Sequence, residues 1–321
     1  MNTPEADIRP VVTVTLNPAI DQTITVEALR PGHVHRAGAV RRNAGGKGVN
    51  VASCLADWGT PVVATGLLGA GNAAAFEALF AAKGIADRFV RLPGETRVNV
   101  KIADRAAADT TDLNLPGLTA DAEALDRVRR TLRELVLPGT PVLLAGSLPD
   151  GLPADSYATL TADLRAQGAR VVLDSSGPPL AAALAAPDLP FCIKPNRHEL
   201  EAWAGTPLPA TADLLEAARG LHRSGVAVVV VSLGADGALF VADGPALHAR
   251  LPAVNALSTV GAGDAMVAGL IAAFGADLSL EGVARLSVAF ATAKLGCFGP
   301  NLPGADAVRA LAERVELTTL Q

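Results

Sequence analysis

The chain has 321 residues, 50% of them hydrophobic and 18% charged, which excludes a disordered chain and leaves ample apolar surface for a large core. Lysine plus arginine number 27 against 32 acidic residues, a formal charge of −5, which excludes a surface built to wrap a polyanion. Residues Met1–Pro10 carry Glu5, Asp7 and Arg9 with no apolar run. Cys54, Cys192 and Cys297 are widely spaced with no C-x-x-C pattern, so the expectation is a chain of the reducing cytoplasm with no membrane span, disulfide framework or zinc site.

In chain order, the β-branched run Val11–Leu16 reads as a buried strand stopped by Asn17-Pro18. Thr23–Val26 and Ala37–Val40 alternate and are flanked by charge, as strands exposed on one face do. Gly45-Gly46-Lys47-Gly48 opens a helix to Trp58, stopped by Gly59; Val62–Leu67 is a strand, and Ala73–Ala82 a helix ended by Gly84. Thr96–Ile102 and Thr110–Leu115 alternate and read as a hairpin, followed by a helix over Ala120–Leu135. Strands at Val142–Ala145, Val171–Leu173, Phe191–Ile193 and Val226–Ser232 then alternate with helices at Ala154–Gln167, Leu180–Ala186, His198–Ala204 and Ala212–Ser224. A hairpin over Gly237–Val241 and Ala246–Ala249 leads to helices at Asp264–Phe274, Leu280–Leu295 and Ala305–Val315. Nearly all-apolar strands alternating with helices predict an α/β fold, with a parallel sheet covered on both faces. The amphipathic strands within 23–40 and 96–115 do not suit that sheet and are expected to form a small separate one. Trp58 and Trp203 lie on predicted helices and are expected in the core.

Three glycine-rich segments compete for phosphate chemistry. Gly69-Ala70-Gly71-Asn72-Ala73-Ala74 fits G-x-G-x-x-A, with Asp87 downstream, and supports a dinucleotide-dependent oxidoreductase. It follows the second predicted strand rather than the first, and Asp87 is expected in a loop, so the favoured reading is a tight turn whose glycines allow close packing. Gly45–Gly48 lacks the Walker spacing and the Ser/Thr after its lysine; it is an anion-binding helix start or a solvated turn. Ser258-Thr259-Val260-Gly261-Ala262-Gly263-Asp264 frees several N–H groups at a helix start. Its carboxylate is either an N-terminal cap or a group for proton transfer. No H-E-x-x-H or G-x-S-x-G motif is present, and the five histidines form no cluster in the sequence.

Two of these segments, Gly45-Gly46-Lys47-Gly48-Val49-Asn50-Val51-Ala52 and Ser258–Gly269, make the chain resemble the ribokinase-like (PfkB) carbohydrate kinases over nearly its whole length. Thr15–Ala19 with Asp21, Thr96–Lys101, Thr111–Asn114, Gly146–Pro149 and Lys194–Glu201 point to the members that act on sugar phosphates. The resemblance implies a doubly wound, mainly parallel sheet in one kinase domain over 1–321, with a small β-sheet lid that often pairs subunits into a homodimer. It also implies ATP-dependent phosphorylation of D-fructose 1-phosphate at the C6 hydroxyl, with tagatose 6-phosphate or fructose 6-phosphate as alternatives in the family. Asp264 would be the catalytic base, beside N–H groups of Gly261, Ala262 and Gly263. Asp21, Gly45, Gly46, Asn50, Asn99 and Asn114 would bind the sugar, and Lys47, Arg97 and Lys101 its phosphate. Lys194, Asn196, Glu199, Ser232, Gly234, Gly237, Thr259, Gly261 and Gly263 would bind ATP, with Mg²⁺ held at Asn196 and Glu199 mostly through water. No nucleic acid or membrane partner is implied.

Overall fold

The computed structural model describes residues 10–107, 109–252, 260–297 and 299–321. The first half runs β1 (Val11–Thr15), β2 (Ala19–Val26), β3 (Ala39–Gly45), α1 (Lys47–Trp58), β4 (Val62–Gly69), α2 (Ala74–Lys83), β5 (Ala86–Asp87), β6 (Val90–Leu92), β7 (Val98–Asp104), β8 (Asp109–Leu113) and α3 (Ala122–Leu135). The second half runs β9 (Pro141–Ala145), α4 (Ser156–Ala166), β10 (Arg170–Asp174), α5 (Gly177–Ala185), β11 (Cys192–Ile193), α6 (Arg197–Ala204), α7 (Thr211–Arg223) and β12 (Val228–Ser232). It closes with β13 (Ala238–Val241), β14 (Ala246–Arg250), α8 (Ala262–Gly275), α9 (Leu280–Lys294), α10 (Ala305–Glu313) and β15 (Glu316–Leu320).

Eleven strands form one sheet in the order β15-β14-β13-β12-β11-β10-β9-β1-β4-β5, with β6 also on β4. The pairings from β12 to β5 are parallel and those from β12 to β15 antiparallel. Both faces of the central strands are buried, which is why they are continuous apolar runs rather than alternating ones. In β9, Leu143 and Ala145 pack with the core shared by α1, α8 and α9, while Val142 and Leu144 pack with the core shared by α3, α4 and α7. The edges departed from expectation. β5, β6 and β15 are too short or too polar to register as apolar runs, and pairing with β4, or for β15 with β14, makes them strands.

A second sheet has the order β3-β2-β7-β8, with β2 and β7 parallel and the other pairs antiparallel. It is made from the amphipathic segments that the main sheet had no place for. β3 runs to Gly45 rather than stopping at Val40. Its charged Arg41-Arg42 stretch hides the strand, whose extent is set by a full ladder against β2, from Ala39↔Thr25 to Gly45↔Ala19.

Trp58 packs tilted on Phe290 with ring centroids 5.1 Å apart, as expected of a core residue. Trp203 does not: on the short helix α6 it is 39% exposed, because α6 buries only Leu200. Among the described residues, no helix is long and apolar enough to cross a membrane.

Candidate active site

The parallel strands β1, β9, β10, β11 and β12 point their C-terminal ends to one edge of the main sheet, where open α/β sheets bind ligands. Two glycine-rich helix starts converge there. α1 begins at Lys47 after Gly46, and α8 at Ala262 after Gly261. Their first turns touch: Asn50 Nδ2 donates to Asp264 Oδ2 at 2.8 Å. The two motifs, remote in sequence, are one constellation in space.

A buried carboxylate on β10 joins them. Asp174 is 1% exposed, and its Oδ1 lies 3.2 Å from Lys47 Nζ and 3.6 Å from Lys194 Nζ. Its Oδ2 is buried with no hydrogen-bond partner among the described residues. Burial opposes the Asp174 charge, yet Lys194 and Lys47 hold its carboxyl below the usual range. Burial likewise works against the Lys47 charge, and Asp174, Asp264 and Glu199 together hold its ammonium above its ordinary value.

Asp264 is enclosed by protein while part of its surface stays reachable by solvent. Burial pushes its carboxyl up to about 6, helped by the charge of Asp174 and opposed by the Asn50 hydrogen bond, Lys47 and Lys194. It can therefore both take up and release a proton near neutrality. Gly263 is exposed, and a β-carbon there would lie 3.8 Å from Lys194 Nζ, so the start of α8 faces that lysine.

Asn196 and Glu199 form the N-terminal capping box of α6. Asn196 Oδ1 accepts from Glu199 N at 2.9 Å, and Glu199 Oε2 accepts from Asn196 N at 2.8 Å. This leaves Glu199 Oε1 uncommitted among the described residues. Asn196 bridges Ser232 at the end of β12, and the turn over Gly234–Asp236 leads through Gly237 into β13. The segments expected to bind nucleotide are thus adjacent. Thr259 lies outside the described residues.

The small sheet carries a second polar group. In the β2–β7 register Asp21 opposes Asn99 and Thr23 opposes Lys101. Asn99 hydrogen-bonds the Asp21 carboxylate; burial pushes that carboxyl up, against the pull of Lys101 and Arg97. Arg97, just before β7, donates to the carbonyls of Pro18 at 3.3 Å, Asn17 at 3.2 Å and Leu115 at 3.4 Å. Three carbonyls fix its guanidinium, and two of its five N–H groups remain for a ligand. Lys101 Nζ lies 3.4 Å from Asp112 Oδ1 on β8. Gly45 ends β3 close against Asp21, and Asn114 is exposed one residue past β8. Lys47, expected to join Arg97 and Lys101, groups instead with Asp174.

The segment Gly69–Ala74 is spent on packing. Gly69 N donates to Thr96 Oγ1 at 2.9 Å, Gly71 N to Gly94 O at 2.8 Å, and Asn72 exchanges hydrogen bonds with the Thr96 backbone. A β-carbon at Gly69 would stand 2.3 Å from Thr96 N, so the glycine serves close approach of segment 94–96 rather than room for a pyrophosphate. Asp87 lies in β5, not in a loop, and is tied to Arg91.

Asp174 was not among the expected site residues. Its signal was a lone carboxylate ending an apolar strand, Val171-Val172-Leu173-Asp174, at the edge where such sheets bind ligands.

The pfkB family carbohydrate kinase profile matches residues 14–307. A 1-phosphofructokinase of Xanthomonas campestris pv. campestris is 55% identical over 287 residues, 88% of this chain and 90% of that protein. One of Rhodobacter capsulatus is 51% identical over 312 residues, 97% and 98% of the two chains. The crystal structure of phosphofructokinase-2 from Escherichia coli in complex with substrates and products superposes with a TM-score of 0.89 at 30% identity, covering 95% of this chain and 98% of that one.

Proposed function

Because the chain belongs to the pfkB family of carbohydrate kinases, we propose that it transfers the γ-phosphoryl group of ATP to the C6 hydroxyl of D-fructose 1-phosphate, giving D-fructose 1,6-bisphosphate and ADP. The observation that carries this reading is the contact between Asn50 and Asp264, which joins the two anion-binding helix starts around one titratable carboxylate.

Asp264 takes the C6 hydroxyl proton as that oxygen attacks the γ-phosphorus; the O–P bond forms as the bond to the leaving ADP oxygen breaks. The N–H groups of Gly261, Ala262 and Gly263 receive charge on the transferring group. Lys47 and Lys194 face the same end of the site, so Lys47 is assigned to the transferring phosphoryl group rather than to the substrate's own phosphate. Asp21 and Asn99 accept and donate to sugar hydroxyls, a carboxylate being able to accept from two neighbours at once. Arg97 and Lys101 meet the 1-phosphate, at the far end of the sugar from C6. Ser232, Gly234 and Gly237 line the nucleotide groove.

Family membership implies ATP and a divalent metal, and the donor set fits magnesium. Magnesium takes oxygen ligands and keeps several waters. The uncommitted Glu199 Oε1 and the orphaned Asp174 Oδ2 are two hard oxygens suited to hold it through water, with Asn196 beside them. A cation held there would supply neutralisation of the charge on the transferring phosphates.

The small sheet is read as the lid of one kinase domain acting in the cytoplasm. Val40 and Leu113 lie on the face opposite Asp21 and are 54% and 49% exposed. The root of that face, Ile20 and Ala44, is buried in the core, so its outer half is the part left for a second subunit. A coupled assay with ATP, Mg²⁺ and each of fructose 1-phosphate, tagatose 6-phosphate and fructose 6-phosphate tests the reading. The highest kcat/KM is expected for fructose 1-phosphate, and a preference for another sugar phosphate would overturn the substrate assignment.

A further inference from the structure

One buried charge has no part in the scheme above. Lys294 is the last residue of α9 and is 2% exposed. Its Nζ donates to Cys297 O at 2.9 Å, and it forms no ion pair among the described residues. A β-carbon at Gly261 would stand 3.3 Å from Lys294 Cε. Gly261 has φ 82, which an L side chain rarely adopts, and it caps α8. The lysine stem therefore lies against the residue that opens the anion-binding turn. Burial lowers the Lys294 pKa, and the charge of Asp264 acts the other way, so the ammonium and the carboxylate feel each other.

A lysine at a helix C-terminus often does no more than offset the last carbonyls. That role explains the contact with Cys297 but not the burial, since an exposed lysine offsets carbonyls without losing its hydration.

We propose that the Lys294 ammonium is a fixed internal cation that positions the Gly261–Gly263 turn and adds to the positive field where the phosphoryl group is received. It acts through the backbone at Gly261 and the carbonyl of Cys297 and touches no reacting atom. Its effect on rate rests on the kinase reading; its effect on the turn does not.

Lys294→Ala empties the space of the stem and the ammonium, whereas Lys294→Met fills the stem without the charge. In Lys294→Ala, kcat should fall about ten- to a hundredfold, the scale of losing one electrostatic contributor to a preorganised site, with the sugar-phosphate KM changed less than about threefold. Methylammonium should restore kcat in this variant by about tenfold or more, against tetramethylammonium at equal ionic strength, because only the smaller ion enters the vacated space. Lys294→Met should stay slow and ignore methylammonium. Independently of activity, methylammonium should raise the melting temperature of Lys294→Ala and leave that of Lys294→Met and the unaltered protein unchanged, since a cation bound only to the folded state stabilises it. A melting temperature of Lys294→Ala that ignores methylammonium overturns the proposal, as does Lys294→Met with unaltered kcat. An unaltered protein that phosphorylates none of the sugar phosphates refutes the kinase reading, while the melting comparison still decides the internal cation.

Discussion

Asn50→Leu removes the donor to Asp264 while keeping the side chain's shape, and its consequence can be worked from the geometry. The bond is 2.8 Å long and ends on a carboxylate. Hydrogen bonds to charged groups contribute about 1.5–3 kcal/mol, and one pKa unit corresponds to about 1.4 kcal/mol. Asp264 keeps some contact with solvent, so water replaces part of the lost bond, and a rise of about one unit is expected. The bond favours the ionised form, so removing it raises the pKa. The acid limb of kcat/KM for the sugar phosphate should then move from about 6 to about 7. At pH 6 the ionised fraction falls from about one half to about one tenth, so the variant loses about fivefold more activity there than at pH 8. The assay is a coupled kinase profile from pH 5 to 9 with a pH-insensitive coupling system. A limb that stays in place or moves to lower pH refutes the view that Asn50 supports the charged base.

Four further outcomes follow, three at this site and one at the outer face of the small sheet. Asp264→Asn should lower kcat by a factor on the order of 10² to 10⁴ with ATP binding little changed, and a variant keeping more than about a tenth of kcat would return Asp264 to a capping role. Because the folded pKa of about 6 exceeds the ordinary 3.8, ionising Asp264 costs stability as pH rises through that window; denaturant unfolding should find Asp264→Asn about 1–3 kcal/mol more stable at pH 8, with the advantage gone below about pH 4. Arg97→Ala should lower kcat/KM for fructose 1-phosphate about 10- to 150-fold with little change in KM for ATP, and Arg97→Lys should recover only part; equal weakening of ATP would remove Arg97 from the phosphate site. Light scattering at micromolar concentration should report a dimer that Leu113→Lys weakens, and a fully active monomer would show that the outer face of the small sheet needs no partner.

Much of the architecture is legible along the chain because it rests on local periodicity. Runs such as Val142–Ala145 and Val228–Val231 are apolar on both sides of the strand, so they announce a sheet buried on both faces. Gly84 in the left-handed conformation ends α2 where expected. The strands of the small sheet were visible by alternation, though of β3 only the start was, since its arginines conceal a ladder that only β2 defines.

The site divides along the same line. The residue types of both helix starts, including Lys47, Asn50 and Asp264, were open to reading because glycines at a helix start have a local reason. What joins them does not. The Asn50–Asp264 bond spans 214 positions, and the Lys47–Asp174 pair spans 127. Asn196 and Glu199 form the cap that local spacing allows, while their nearness to Ser232 comes from the parallel order of β11 and β12. The glycines of Gly69–Ala74 fit a dinucleotide pattern in the sequence, and it took the docking of segment 94–96 to show them consumed by packing. Sequence alone determined the central strands, the helices and the two glycine-rich helix starts, because those follow from backbone preference and hydrophobic period, whereas β5, β6, β15 and the length of β3 came from pairing. Tertiary structure alone decided the partners of Asp174, the raised pKa of Asp264 and the burial of Lys294, because charge coupling and desolvation depend on distances between groups that the chain's order does not encode.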